Sequence, residues 1–224
     1  AIVFSTAPGQ AGTKDINGTP NGTNPAAWGY TGTITFGVIA SSPTNFAAQS
    51  VYLTSVSFSW TATASFGDGP STTTYRMFSS TTVPATEDLR VSATAWTVND
   101  LLPNTTYQRV ITAFTDWGDS AFSDIVTTYT LANVPGEESS PFSSMGETSL
   151  TLSWNANTPA NTNYTQYEIN QSSEPGFGVA VSTTFVVGLS SSPAALLPNT
   201  SYYMRARAIN LAGRPSAFTT TFTT

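Results

Sequence analysis

The sequence predicts an all-β protein, with two tandem β-sandwiches that follow an N-terminal extension containing strands. Three observations lead to this fold class. Blocks of sequence recur in the same order at a shift of about 95 residues, as in chains built from repeated domains. Apolar and polar residues alternate within the blocks, which is the period of a half-buried strand. Clusters of Gly, Pro, Asn and Asp separate the blocks at hairpin intervals.

Two motifs define the repeat. The first is a short alternating strand that ends in tryptophan, at Trp60 in the first copy and at Trp154 in the second. The second reads Leu-Leu-Pro-Asn-Thr-x-Tyr and ends at Tyr107 and at Tyr202. Because the alternation puts each tryptophan on the apolar face of its strand, we expect Trp60 and Trp154 to mark the cores of the two sandwiches.

Each repeat resembles a fibronectin type III domain, which has a tryptophan on its second strand and the motif L-x-P-x-T-x-Y before its sixth. The resemblance covers roughly residues 43–224 and implies domains at 43–134 and 135–224, after an extension at 1–42. It also implies a tyrosine corner, in which the ring closes the core edge and the hydroxyl bonds the backbone upstream. The linker at 130–136 is similar to those between such domains in bacterial surface proteins. The motif is carried by Leu101, Pro103, Thr105 and Tyr107, and by Leu196, Pro198, Thr200 and Tyr202.

Charge is scarce in this chain and excludes some functions. Charged residues make up 9% of the sequence, and the net charge is −6. Phosphate binding needs a basic stripe, so a nucleic-acid partner is not expected. No apolar run of 18 residues is present, so no membrane insertion is expected. A surface this poor in charge suits an extracellular or cell-surface protein, and Ala1 suits a mature chain that has lost a signal peptide.

Residues for catalysis are also scarce. The chain has no cysteine and no histidine, so it lacks thiolate chemistry and the usual general base. We expect no enzymatic activity, no catalytic residues, no cofactor and no metal site. The acids Asp116, Asp119 and Asp124 match no standard calcium loop and are predicted to be solvated turn residues.

The N-terminal extension contains a predicted strand at 28–38, whose apolar face belongs to neither predicted sandwich. The last predicted strand, 219–224, is shorter than its counterpart. One hypothesis is that the extension adds a strand to a neighbouring copy, which would build a head-to-tail filament. The alternative is that it folds back, as a hairpin or as an extra strand on the first repeat. The residues predicted to serve assembly are Ile2, Val3, Phe4, Trp28, Tyr30, Ile34, Phe36 and Val38.

These patterns favour a secreted, non-catalytic structural subunit whose partners are copies of itself. The alternative is an adhesive module that binds glycans, with Trp117 in a predicted loop as the stacking residue. Among six N-x-Ser/Thr sequons, Asn17 and Asn21 are the best glycosylation candidates because they lie in a flexible-looking Gly-rich stretch. Asn104 and Asn199 stand inside the tyrosine motif, where asparagine is a good turn former.

Overall fold

The computed structural model describes residues 12–15, 33–36, 39–63, 74–79, 87–115, 118–178 and 181–224. Over these residues the chain contains seventeen strands and no helix. None of the described residues therefore forms a helix that could span a membrane. The all-β fold class and its tandem sandwiches are confirmed.

The N-terminal extension contributes a two-stranded sheet of its own. Strand β1 (Gly12–Asp15) pairs antiparallel with β2 (Thr33–Phe36), so that Gly12 lies opposite Phe36. Part of the predicted strand at 28–38 is thus a strand, paired as in the hairpin alternative. Strand donation to a neighbouring copy stays a prediction, and the rest of that strand lies outside the described residues.

The first repeat forms two sheets. One has the order β3-β4-β7 and the other the order β10-β8-β5-β6, with β9 also paired to β8. Every second residue of β4 is buried, because the apolar members of its sequence VSFSWT alternate with serine. The strands are β3 (Thr44–Val51), β4 (Val56–Thr61), β5 (Thr74–Phe78), β6 (Glu87–Val91), β7 (Ala95–Val98), β8 (Thr106–Thr115), β9 (Gly118–Asp119) and β10 (Val126–Tyr129).

The second repeat has the same arrangement, with sheet orders β11-β12-β15 and β14-β13-β16-β17. In β16 the small or apolar residues Met204, Ala206 and Ala208 face inward and alternate with half-buried ones. The strands are β11 (Phe142–Ser143), β12 (Thr151–Ser153), β13 (Gln166–Ser172), β14 (Ser182–Val187), β15 (Ser190–Ser191), β16 (Tyr203–Ile209) and β17 (Phe222–Thr223).

A tryptophan–tyrosine pair joins the two sheets of each sandwich. Trp60 on β4 and Tyr75 on β5 have ring centroids 5.4 Å apart. In the second repeat Trp154, just after β12, lies 5.4 Å from Tyr167 on β13. Both tryptophans are buried. The second core is completed by Ala132, Leu150, Leu152, Ile169, Leu196, Met204, Ala206, Ala208 and Phe222.

By packing, the chain divides into two compact units. One comprises residues 1–47, 59–96 and 108–126, and the other comprises 48–58, 97–107 and 127–224. The second unit therefore takes in the whole second repeat together with one end of the first, including the tyrosine motif of the first repeat. The boundary between repeats at 134/135 stays a prediction from sequence.

Candidate functional site

Both tyrosine motifs form the same hydrogen bond. The hydroxyl of Tyr107 accepts from the backbone N–H of Leu102 at 2.8 Å, and that of Tyr202 accepts from Leu197 at 2.8 Å. Each bond reaches five residues upstream and fixes the loop that enters β8 or β16. These loops contain Asn104 and Asn199, which hold the same position in the two motifs.

Several predicted site residues fall outside the described residues. These include Trp117 and both glycosylation candidates, Asn17 and Asn21. Of the assembly residues, only Ile34 and Phe36 lie in a described strand, β2, of which the backbone alone is described. The structure does not describe the other assembly residues, Ile2, Val3, Phe4, Trp28, Tyr30 and Val38. Their part in assembly remains a prediction.

Asp119, one of the acids predicted to be solvated turn residues, forms an ion pair and a hydrogen bond. Asp119 pairs with Arg76 through one carboxylate oxygen and accepts from Thr112 Oγ1 at 2.9 Å through the other. Arg76 also lies over the ring of Phe114. Asp119 therefore has a structural role in the first repeat. Across the described parts of the chain, no group of three acidic, histidine or cysteine residues is arranged to hold a metal.

Asn104 connects the first repeat to the second. Its Nδ2 donates to Thr165 Oγ1 at 2.7 Å, and its Oδ1 accepts from the backbone N–H of Leu211 at 2.7 Å. Its carbonyl oxygen accepts from Thr162 Oγ1 at 3.3 Å. The residue is 1% exposed, so a buried amide has both ends satisfied by the neighbouring repeat. We call this set of contacts the Asn104 junction.

Asparagine amides also hold the linker that follows. Thr130 O accepts from Asn210 Nδ2 at 3.1 Å, and Asn133 O accepts from Asn161 Nδ2 at 2.8 Å. The backbone N–H of Asn133 donates to Asn161 Oδ1 at 2.6 Å. Ala132 packs in the core of the second repeat. The linker is thus fixed to the second repeat by its backbone.

Strand β14 lies at an edge of its sheet and exposes apolar side chains. It pairs with β13 over Gln171 to Gln166 and ends the sheet order, so one side of β14 has no strand beside it among the described residues. Phe185 is 54% exposed and Val187 is 63% exposed. Phe185 and Val187 occupy alternate positions on one face of β14. Two more apolar residues flank the strand, Val181 (40% exposed) and Leu189 (41% exposed). We call these four residues the β14 stripe.

Edge strands usually carry features that prevent pairing with other chains. The sequence of β14, STTFVV, has no charge and no proline. The corresponding edge of the first repeat, β6, has the sequence EDLRV, with three charged residues out of five. By this criterion, β14 is much less protected than β6.

The polar face beside the β14 stripe carries little free charge. Glu168, which lies opposite Phe185 on β13, is buried and pairs with Arg207 at 2.8 Å. The guanidinium of Arg207 also lies 4.4 Å from the ring centroid of Phe218. A partner that covered the stripe would therefore not have to desolvate an unpaired charge at Glu168.

Exposure separates the sequons that the structure describes. Asn104 and Asn170 are buried and hydrogen-bonded, so neither can accept a glycan in the folded protein. Asn163 and Asn199 are exposed. Sequence reasoning treated Asn104 and Asn199 alike because their motifs are the same, and it gave no role to the β14 stripe.

Comparison with known families agrees with this architecture. Residues 41–129 match the family model of the fibronectin type III domain. Over these residues the chain is similar to a fibronectin type III domain. Such domains are commonly adhesive or structural modules of extracellular and surface proteins, and they are typically not catalytic. The second repeat lies beyond that match, but it has the same sheet orders and the same tyrosine corner.

One solved structure shows the same fold. A two-domain fibronectin type III segment of chicken tenascin matches with a TM-score of 0.56 and 16% identity, over 82% of this chain and 98% of that segment. The FN1–FN3 domains of chicken CNTN1 match with a TM-score of 0.37 and 18% identity, over 87% and 68% of the two chains.

A type III domain of human fibronectin type III domain containing protein 3 has a TM-score of 0.36 and 21% identity, over 42% and 87%. At these identities the tenascin match establishes the fold alone. No curated protein matches the chain.

Proposed function

We propose that this protein is a non-catalytic structural subunit of an extracellular assembly, in which an N-terminal strand of one copy adds to a sheet edge of the next. The observation that carries the proposal is the open edge of β14 with its apolar stripe. Strand addition supplies main-chain hydrogen bonds along an edge and side-chain contacts at alternate positions. The β14 edge offers both.

The proposed donor is the N-terminal extension. Its candidate strands are the run Ile2–Phe4 and the predicted strand at 28–38, in which apolar residues recur at alternate positions of the sequence. The described part of the latter, β2, is paired with β1 on one side. The charge content of the chain supports close packing of copies, because 9% charged residues give weak electrostatic repulsion between subunits. An extracellular location is consistent with the usual setting of type III domains.

Val187→Lys tests the acceptor edge. A lysine on an exposed edge strand disfavours pairing with another chain, and a residue that is 63% exposed tolerates the change without loss of folding. The matched control is Met145→Lys, since Met145 is 67% exposed but lies outside every strand of the described residues. Deletion of residues 1–38, which removes both candidate strands, tests the donor.

Electron microscopy and light scattering of the purified protein report the outcome. We expect polymers of the intact chain and of Met145→Lys, and single subunits for Val187→Lys and for the deletion. Monomers of the intact chain at all concentrations would contradict the proposal. Polymers of Val187→Lys would rule out β14 as the acceptor.

A further inference from the structure

The tyrosine-corner loops of the two repeats have the same local structure. In each loop the threonine hydroxyl donates to the proline carbonyl oxygen, at 3.0 Å for Thr105 and 3.2 Å for Thr200. The asparagine between them has a positive φ in both loops, 47° at Asn104 and 52° at Asn199. The second loop therefore already holds its asparagine in the conformation that the first uses to bind a neighbouring sandwich.

The surroundings of the two loops differ. Asn104 and Pro103 are buried, whereas Asn199 and Pro198 are exposed. The Asn199 side chain has no hydrogen bond within the described residues, although its amide has the same donor and acceptor as that of Asn104. By contrast, the second leucine of the motif is 61% exposed in the first repeat and 67% exposed in the second. The junction therefore covers the proline and the asparagine and leaves this leucine outside.

We propose that Asn199 and its loop form a docking surface for the first repeat of a second copy of this chain. The Asn104 junction shows which hydrogen-bonding groups a partner must present to such a loop. Its two requirements are a threonine hydroxyl just before the third strand of a sandwich, as at Thr165, and a backbone N–H in the turn after the sixth, as at Leu211.

The first repeat carries this threonine in its sequence. Thr73 stands two residues before Tyr75, as Thr165 stands two residues before Tyr167. The two tyrosines also hold equivalent places in their sheets, because each pairs with an alanine on the sixth strand. Thr73 lies outside the described residues, so this match is one of sequence. The second requirement is a main-chain donor and does not depend on a particular side chain.

The second repeat cannot supply this end to another copy, because the Asn104 junction already occupies it. The first repeat of a second copy is therefore the occupant that the chain itself provides. The loop is preorganised by the Tyr202 and Thr200 hydrogen bonds, so docking would not require it to change conformation. This contact lies at an end of a sandwich and is separate from the strand addition proposed above.

Sedimentation velocity of the intact chain over a concentration series tests the docking surface. Asn199→Gly removes the amide and keeps the positive φ without strain. We expect it to raise the dissociation constant of self-association about tenfold to a hundredfold, as the loss of two hydrogen bonds implies. Leu197→Ala is the matched control, because its counterpart stays exposed in the junction, and it should leave association unchanged.

A comparison with Val187→Lys separates the two proposals. If Asn199→Gly weakens association and Val187→Lys does not, docking at the loop stands and strand addition at β14 fails. If only Val187→Lys weakens association, the docking surface is refuted. It is refuted as well if the intact chain stays monomeric at every concentration, or if Leu197→Ala weakens association as strongly as Asn199→Gly.

Discussion

The Asn104 junction gives the sharpest prediction about stability. Asn104→Gly deletes the amide that joins the two repeats and retains a residue that adopts a φ of 47° without strain. The change removes the donor to Thr165 Oγ1 and the acceptor of the Leu211 N–H, both bonds of 2.7 Å. The fold of each separate sandwich is left intact.

The expected cost follows from these contacts. Each hydrogen bond contributes about 0.5–1.5 kcal/mol, and a buried group that is left without a partner costs more. The Thr165 hydroxyl keeps a neighbour in Thr162 Oγ1 at 3.2 Å, which offsets part of the loss. The Leu211 N–H loses the acceptor that holds it. We therefore expect the free energy of unfolding to fall by about 2–3 kcal/mol.

Two measurements check this value. Urea denaturation gives the change in the free energy of unfolding. Amide hydrogen exchange of Leu211 reports the junction itself, and we expect its protection to fall about tenfold to a hundredfold.

Asn199→Gly is the matched control at dilute concentration. It has the same motif and the same sign of φ but an exposed side chain, so its effect on stability should stay within about 0.5 kcal/mol. The entropy that glycine adds to the unfolded chain is common to both variants. Equal losses from the two variants, or unchanged exchange at Leu211, would refute the role of Asn104.

Three further predictions concern the second sandwich, each read from urea denaturation. Tyr202→Phe removes the acceptor of the Leu197 N–H and should cost about 1–2 kcal/mol; no change would mean that the corner hydroxyl is dispensable. Trp154→Ala should cost about 3–5 kcal/mol, and Trp154→Phe clearly less, since the indole N–H has no partner in the described structure. Burial raises the pKa of Tyr167 above 10.0, more than its hydrogen bond to Asn161 lowers it. Stability from its neutral hydroxyl is therefore complete below pH 10 and is lost as the pH rises through the raised pKa, so Tyr167→Phe should flatten the alkaline loss of stability.

The fold could be predicted from sequence because its markers are local. The alternation that ends at Trp60 and at Trp154 predicts which face of each strand is buried. The spacing between each tryptophan and the next tyrosine motif assigns both to the same sandwich. Such patterns need no knowledge of the neighbouring domain.

The junction could not be predicted in this way. Asn104 and Asn199 have the same motif, φ sign and local hydrogen bonds, and only the presence of a neighbouring sandwich separates them. The β14 stripe was missed for a related reason. The sequence around Phe185 is typical of an ordinary strand. The exposure of Phe185 arises because β14 is the edge strand of its sheet, and a short sequence pattern does not predict the order of strands in a sheet.

The contacts between the repeats have a consequence for the conditions that the protein can tolerate. Asn104, Thr165, Asn161 and Asn210 are neutral at every pH at which proteins are stable, and their amides and hydroxyls need no counter-ion. Salt that screens ion pairs leaves such contacts unchanged. The hydrogen bonds between the two repeats should therefore persist at high salt, at low salt and at acidic pH. Surface ion pairs such as that of Arg76 should weaken at high salt and at acidic pH.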